Sequence, residues 1–153
     1  MKPPGPGEAL IAGLLSPAAY PHTVVEPIRL VQTHVSWVLL TGEFAYKVKK
    51  SLRLSFLDYS TLDRRHALCE EEVRLNRRHA PDLYLGVSVI NGPAEAPRVD
   101  GSGAPLEYAV RMRQFGAGDE LGALLAADAV TTVEMARLGV DIARLHEDAA
   151  QAP

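Results

Sequence analysis

Two features of the sequence have residue types and spacings suited to chemistry. The first is Phe44-Ala45-Tyr46-Lys47-Val48-Lys49, which reads as a strand carrying two lysines. Strand side chains alternate, so Lys47 and Lys49 project from one face and Tyr46 and Val48 from the other. The second is Glu70-Glu71-Glu72, inside a segment that reads as a long helix. A strand lysine held by a helix glutamate is an arrangement that seats the phosphates of ATP: the ammonium neutralises phosphate oxygens, and the carboxylate keeps the flexible lysine aimed. Only an acid on the sheet-facing side of the helix can do so. Helical spacing puts Leu68, Glu72, Leu75, Asn76 and His79 on one side, with Cys69 and Val73 beside them. Glu70 and Glu71 share the other side with Arg74, Arg77 and Arg78, where surface pairs form easily. Glu72 is the acid that this spacing turns toward the sheet, with Glu71 second. The alternative is that all three are surface acids paired with those arginines.

These residues need elements to position them. Residues 8–15 read as a short helix ended by Ser16-Pro17. Residues 26–50 alternate and then run apolar through Trp37-Val38-Leu39-Leu40, giving three strands with tight turns near residues 34–36 and at Gly42. Ser60 or Thr61 can cap the long helix, and Asp63 sits in its first turn, where the dipole favours an acid. That helix runs to about Arg78 and stops before Pro81. Residues 83–90 and 106–115 alternate as strands, and residues 91–105 between them read as a loop or long hairpin. Helices follow at about 119–126 and about 131–148, the second opened by Thr131 or Thr132. Strands and helices are segregated around an antiparallel sheet, so the class is α+β.

Composition bounds the function. The 153 residues suffice for one domain, and 47% are hydrophobic, so a packed core is expected. The net charge of −3 rules out a broad electrostatic grip on nucleic acid as the default reading. The charge is uneven, however. Residues 47–78 carry nine basic side chains against five acidic ones, while residues 117–153 carry seven acids and two arginines. A basic centre in an acidic protein suits a small anionic ligand; the alternative is a set of solvated helix faces. The single cysteine, Cys69, excludes an internal disulfide and reads as an inert buried thiol. The five histidines are too scattered to predict a metal site. Trp37 reads as core, and Asp58 as a turn or cap residue. Residues 1–7 are rich in Pro and Gly and are expected to be disordered. No transmembrane stretch and no convincing signal peptide are visible, so a cytoplasmic setting is expected.

Residues 37–50 (WVLLTGEFAYKVKK), 56–65 (FLDYSTLDRR), 69–85 (CEEEVRLNRRHAPDLYL) and 108–115 (YAVRMRQF) together resemble the aminoglycoside phosphotransferase-like family of the protein-kinase-like superfamily. The similarity is to the N-terminal part of the bacterial branch in which such a domain can be fused to a P-loop kinase-like ATP-binding domain. It covers about residues 8–148.

The resemblance implies a kinase-like N-terminal lobe over residues 8–115, with a five-stranded antiparallel sheet and one long helix. Residues 116–153 would form the hinge and the first helices of a C-terminal lobe. It also implies ATP, or GTP, in the cleft. Lys47 then occupies the phosphate-binding lysine position, Glu72 the helix glutamate, and Lys49 is a nearby fallback. Met112, Arg113, Gln114 and Phe115 fall where the family's hinge backbone meets the adenine. The bend at residues 34–37 takes the place of the nucleotide-positioning loop, with Ser36 or Thr33 near phosphate. The family's Gly-rich loop is absent, as are the catalytic-loop His-Gly-Asp and the later metal-binding Asp; His146-Glu147-Asp148 is not that motif. Phosphoryl transfer requires those groups. The expectation is a nucleotide-binding portion with no catalytic or metal-ligating residue of its own, magnesium and turnover belonging to a more complete protein. The contrasting expectation is a non-enzymatic module that dimerises or docks a partner through the surface a C-terminal lobe would cover.

Overall fold

The structure, a computed structural model, describes residues 6–149, which fall into two compact units divided after Gln114. The expectation of disorder at residues 1–7 lies mostly outside the described residues. Pro6 and Gly7 instead begin helix α1 (Pro6–Leu14). A proline in the first turn sacrifices no helical hydrogen bond, and a side chain on Gly7 would press within 2.9 Å of the Trp37 ring.

After α1 the first unit continues through a 3-10 turn at Pro17–Ala19 to β1 (Arg29–Gln32), β2 (Ser36–Leu40) and β3 (Phe44–Lys49). These three form the expected meander. Gly42, at φ +105°, makes the turn into β3, where a side chain would also strike Val25. Next come β4 (Arg53–Leu54), β5 (Leu57–Asp58), α2 (Leu62–Asn76), β6 (Tyr84–Asn91), β7 (Arg98–Val99) and β8 (Pro105–Arg113). Thr61 caps α2, its hydroxyl accepting from the Arg64 N–H at 3.3 Å, while Ser60 bonds Asp58 instead. Asp58 is thus a turn residue, its carboxyl held down to about 2 by Ser60 and Arg64.

The class is α+β, with every paired strand antiparallel. The main sheet has six strands, ordered β1-β2-β3-β8-β6-β7, rather than five; β4 and β5 form a separate hairpin. The extra strand is β7, inside the segment that reads as a loop or long hairpin. Its two residues are too few to show a period, yet Val99 pairs with Ile90 and is buried.

The sheet has a core on each face. Leu10, Ile11 and Leu14 of α1, with Tyr20 and Ile28, pack on Leu39, Tyr46, Val48, Ile90 and Ala109. On the other face Cys69 and Val73 of α2 pack on Val110, with Tyr84, Val87, Tyr108 and Met112 around them. The alternation of β3 is therefore divided between two helices: Tyr46 and Val48 lie on the α1 side, and Lys47 and Lys49 face α2.

The second unit holds a 3-10 turn at Ala117–Asp119, α3 (Leu121–Ala126) and α4 (Thr132–Glu147). Thr131 caps α4, and Glu134 returns the bond to complete a capping box. None of the side chains in these elements is buried. Among the described residues no helix is long and apolar enough to cross a membrane.

One ion pair in the first unit is deeply buried. Arg65 of α2 meets Glu107 of β8, with Nε 3.0 and 2.9 Å from the two carboxylate oxygens, and it also donates to the Tyr59 carbonyl at 2.8 Å. Both side chains are 9% exposed. Glu107→Ala would leave the Arg65 charge buried without a partner, which costs about 3–5 kcal/mol. Arg65→Met combined with Glu107→Leu removes both charges and should cost much less. Urea denaturation of the two variants tests this; a Glu107→Ala loss below about 1 kcal/mol would contradict it.

Candidate functional site

Lys47 lies at the centre of β3, opposite Val38 on one side and Val110 on the other. Its ammonium reaches Glu72 Oε1 at 2.8 Å. Lys49, two residues on and on the same face, reaches Oε2 of the same carboxylate at 2.5 Å. One carboxylate is thus held between two ammonium groups. Exposure separates the lysines: the Lys47 side chain is 31% exposed and that of Lys49 2%. Lys49 also sits 5.0 Å above the Tyr59 ring.

Helix α2 fixes the acid. Cys69 and Val73 are its buried side chains between Arg65 and the helix end, and Glu72 lies one residue from Val73 on that inward side. Glu71, the second choice by spacing, faces solvent and is paired with Arg74 at 2.6 Å. Glu70 turns toward His66 at 3.6 Å.

The electrostatics are those of a partly desolvated cluster. Burial acts to raise the pKa of Glu72, but the hydrogen bonds from Lys47 and Lys49 outweigh it and hold the carboxyl below its usual range. Burial likewise acts to lower Lys49, and the bond and charge of Glu72 outweigh it, so its pKa is raised. Cys69 is pushed up to about 11 by burial, which keeps it a protonated, unreactive thiol.

The other candidate residues are placed less uniformly. Met112 lies opposite Ala45, on the face that carries Lys47, and is half-buried. Leu40 and Val38 of β2 share that face. The N–H of Arg113 donates to the Leu83 carbonyl and that of Gln114 to the Glu43 carbonyl, so the sheet already uses both donors. The Gln114 side chain accepts from the Gly42 N–H at 2.9 Å. Phe115 belongs to the second unit and is exposed. Ser36 is opposite Lys49 in register but only 1% exposed, with no hydrogen-bond partner for its hydroxyl. Thr33 Oγ1 is engaged by the Ser36 N–H at 3.0 Å. The hydroxyls at this bend therefore serve the turn or the interior.

A concavity of about 970 Å³ is bounded by Leu10, Trp37, Val48, Lys49, Arg65 and Glu107 among others. Of the cluster only Lys49 borders it; Lys47 and Glu72 do not. Among the described residues no group of three or more His, Cys, Asp or Glu could hold a metal ion.

Reasoning from the sequence missed the Arg65–Glu107 pair. A signal was present, because Arg65 precedes Cys69 by four and Glu72 by seven residues and so shares their side of the helix.

No family model matches the chain, and no solved structure matches it. Over 131 residues, 86% of the chain, it is 30% identical to uncharacterized protein Mb2027c of Mycobacterium bovis. The same identity and coverage relate it to uncharacterized proteins MT2060 and Rv2004c of two Mycobacterium tuberculosis strains. The chain spans about a quarter (25%) of the length of these relatives.

The lowered pKa of Glu72 has a pH consequence of defined sign. Its contribution to stability is complete above the unfolded value near 4.5 and is lost as pH falls through the lower folded value. Lys49 behaves oppositely: its contribution is complete below 10.5 and is lost as pH rises through the folded value. Lys49→Met combined with Glu72→Gln removes both effects. Its urea midpoint should change less than that of the wild type between about pH 5 and 3. Parallel acid limbs for the two proteins would contradict the assignment.

Proposed function

We propose that this chain is the nucleotide-binding portion of an aminoglycoside phosphotransferase-like small-molecule kinase, with ATP the nucleotide. The observation that carries the reading is the 2.8 Å contact between Lys47 and Glu72, which joins a central strand to the long helix. In the kinase-like N-terminal lobe that the sequence resembles, a lysine so held neutralises nucleotide phosphates. Register puts Val38, Leu40, Ala45 and Met112 on the same face as Lys47, apolar side chains of the kind that line a purine site. The base would draw its backbone contacts from the end of β8. The N–H groups of Arg113 and Gln114 are engaged within the sheet, so these contacts fall to other groups there.

Turnover is proposed for a longer protein. The His-Gly-Asp and the metal-binding Asp that would orient the acceptor and hold magnesium are not in this sequence. The described residues are therefore expected to bind nucleotide without transferring phosphate.

A second reading, a docking or dimerising module without catalysis, is favoured by α4. Met135, Leu138, Ile142 and Leu145 form an apolar stripe at helical spacing, and none of them is buried.

Binding linkage separates the two readings. Mg·ATP at about 100 times its dissociation constant should raise the melting temperature of the wild type by several degrees and leave Lys47→Ala unshifted. GTP in a parallel titration sets the base preference. No shift with either nucleotide, together with a concentration-dependent dimer in sedimentation, would replace the first reading with the second.

A further inference from the structure

The two lysines that share Glu72 are not interchangeable, and the charge around that carboxylate assigns them different work. We propose that Lys49 is a buried positioning residue that neutralises Glu72 and so leaves Lys47 with an uncompensated positive charge for an incoming polyphosphate. This rests on the reading that the Lys47 face receives nucleotide phosphates.

With Lys47 as its only partner, Glu72 would form a neutral pair, and a phosphate would compete with the carboxylate for the ammonium. The trio observed carries one net positive charge. Solvent access then decides which lysine presents it. Lys49 is 2% exposed, with the Tyr59 ring over its ammonium, Cys69 of α2 nearby and Ser36 opposite in register. That packing covers its ammonium. The Lys47 side chain is 31% exposed, and Glu72 engages one of the three donors of its ammonium.

Lys49 therefore acts through Glu72 rather than on the ligand. A merely structural role predicts something different. If Lys49 only held α2 in place, removing Glu72 as well would further disorder the site. If Lys49 balances charge, removing Glu72 as well would restore the field at Lys47.

The test is calorimetric titration at low salt with inorganic tripolyphosphate and with Mg·ATP. Lys49→Met should weaken tripolyphosphate binding by about tenfold or more. Lys49→Met combined with Glu72→Gln should recover to within about threefold of the wild type, because the pair's charges cancel. A double variant that binds no better than Lys49→Met overturns the proposal. Glu72→Gln alone strands the buried Lys49 charge and is expected to fold poorly, so the double variant carries the measurement. If the wild type binds neither probe, the nucleotide reading fails, and the division of labour is read from unfolding instead. Urea denaturation should then show Lys49→Met shifting the unfolding midpoint at least twofold more than Lys47→Met, because only Lys49 leaves a largely covered carboxylate without its buried partner; equal shifts overturn it.

Discussion

The arrangement of the first unit depends on a charge that has no access to water. Lys49 points from a central strand into the space beneath α2, where burial disfavours its charged form. Only an acid delivered to that point makes the position tolerable, and α2 delivers Glu72. The requirement is reciprocal: the carboxylate, itself largely covered, stays ionised because two ammonium groups share it. Neither element could keep its side chain there without the other. The contact therefore specifies how strand and helix are registered, and apolar packing of Cys69 and Val73 supplies the bulk of the attraction.

The same strand shows why the sheet can carry a site at all. Tyr46 and Val48 are nearly wholly buried on the α1 side, so β3 is anchored by hydrophobic burial on the face away from the lysines. A strand with both faces apolar would be stable and inert. Here one face provides the anchoring, which leaves the other free to carry two charged side chains. Val38 and Val110 flank Lys47 on the neighbouring strands, so little else competes there for its ammonium.

How much of this was legible in the sequence depended on which periods were long enough to read. Six residues of alternation in β3 fixed the facing of Lys47 and Lys49, and fifteen residues of α2 turned Glu72 rather than Glu71 inward. The capping hydroxyls, Thr61 and Thr131, were readable because the chemistry of a helix start is local. The sixth strand was not, because two residues carry no period and β7 exists only through its pairing with β6. Nor did spacing rank the two lysines. Both lie on one face, and the difference between 31% and 2% exposure comes from Tyr59 and the body of α2, which are remote from β3 in the chain. Glu107 was hidden for a similar reason: an acid in a strand reads as a solvent-facing position until the arginine that covers it is known.

Arg65 and Glu72 together explain why the lysine–glutamate geometry can be sharp on an open face. They are seven residues apart, close to two helical turns, so they leave α2 on the same side about 10 Å apart along its axis. Arg65 ties the start of the helix to β8, and Glu72 ties its later half to β3, two strands adjacent in the sheet. A helix held at one point can rotate about it; a helix held at two points along its length, on two strands, cannot rotate without breaking an ion pair. The Arg65–Glu107 pair is deeper than the Lys47–Glu72 pair, and its loss would strand a charge in the interior. The more exposed pair thus takes its alignment from the less exposed one. That allows Lys47 to remain accessible while its distance to Glu72 stays set by the fold rather than by the flexibility of its own side chain.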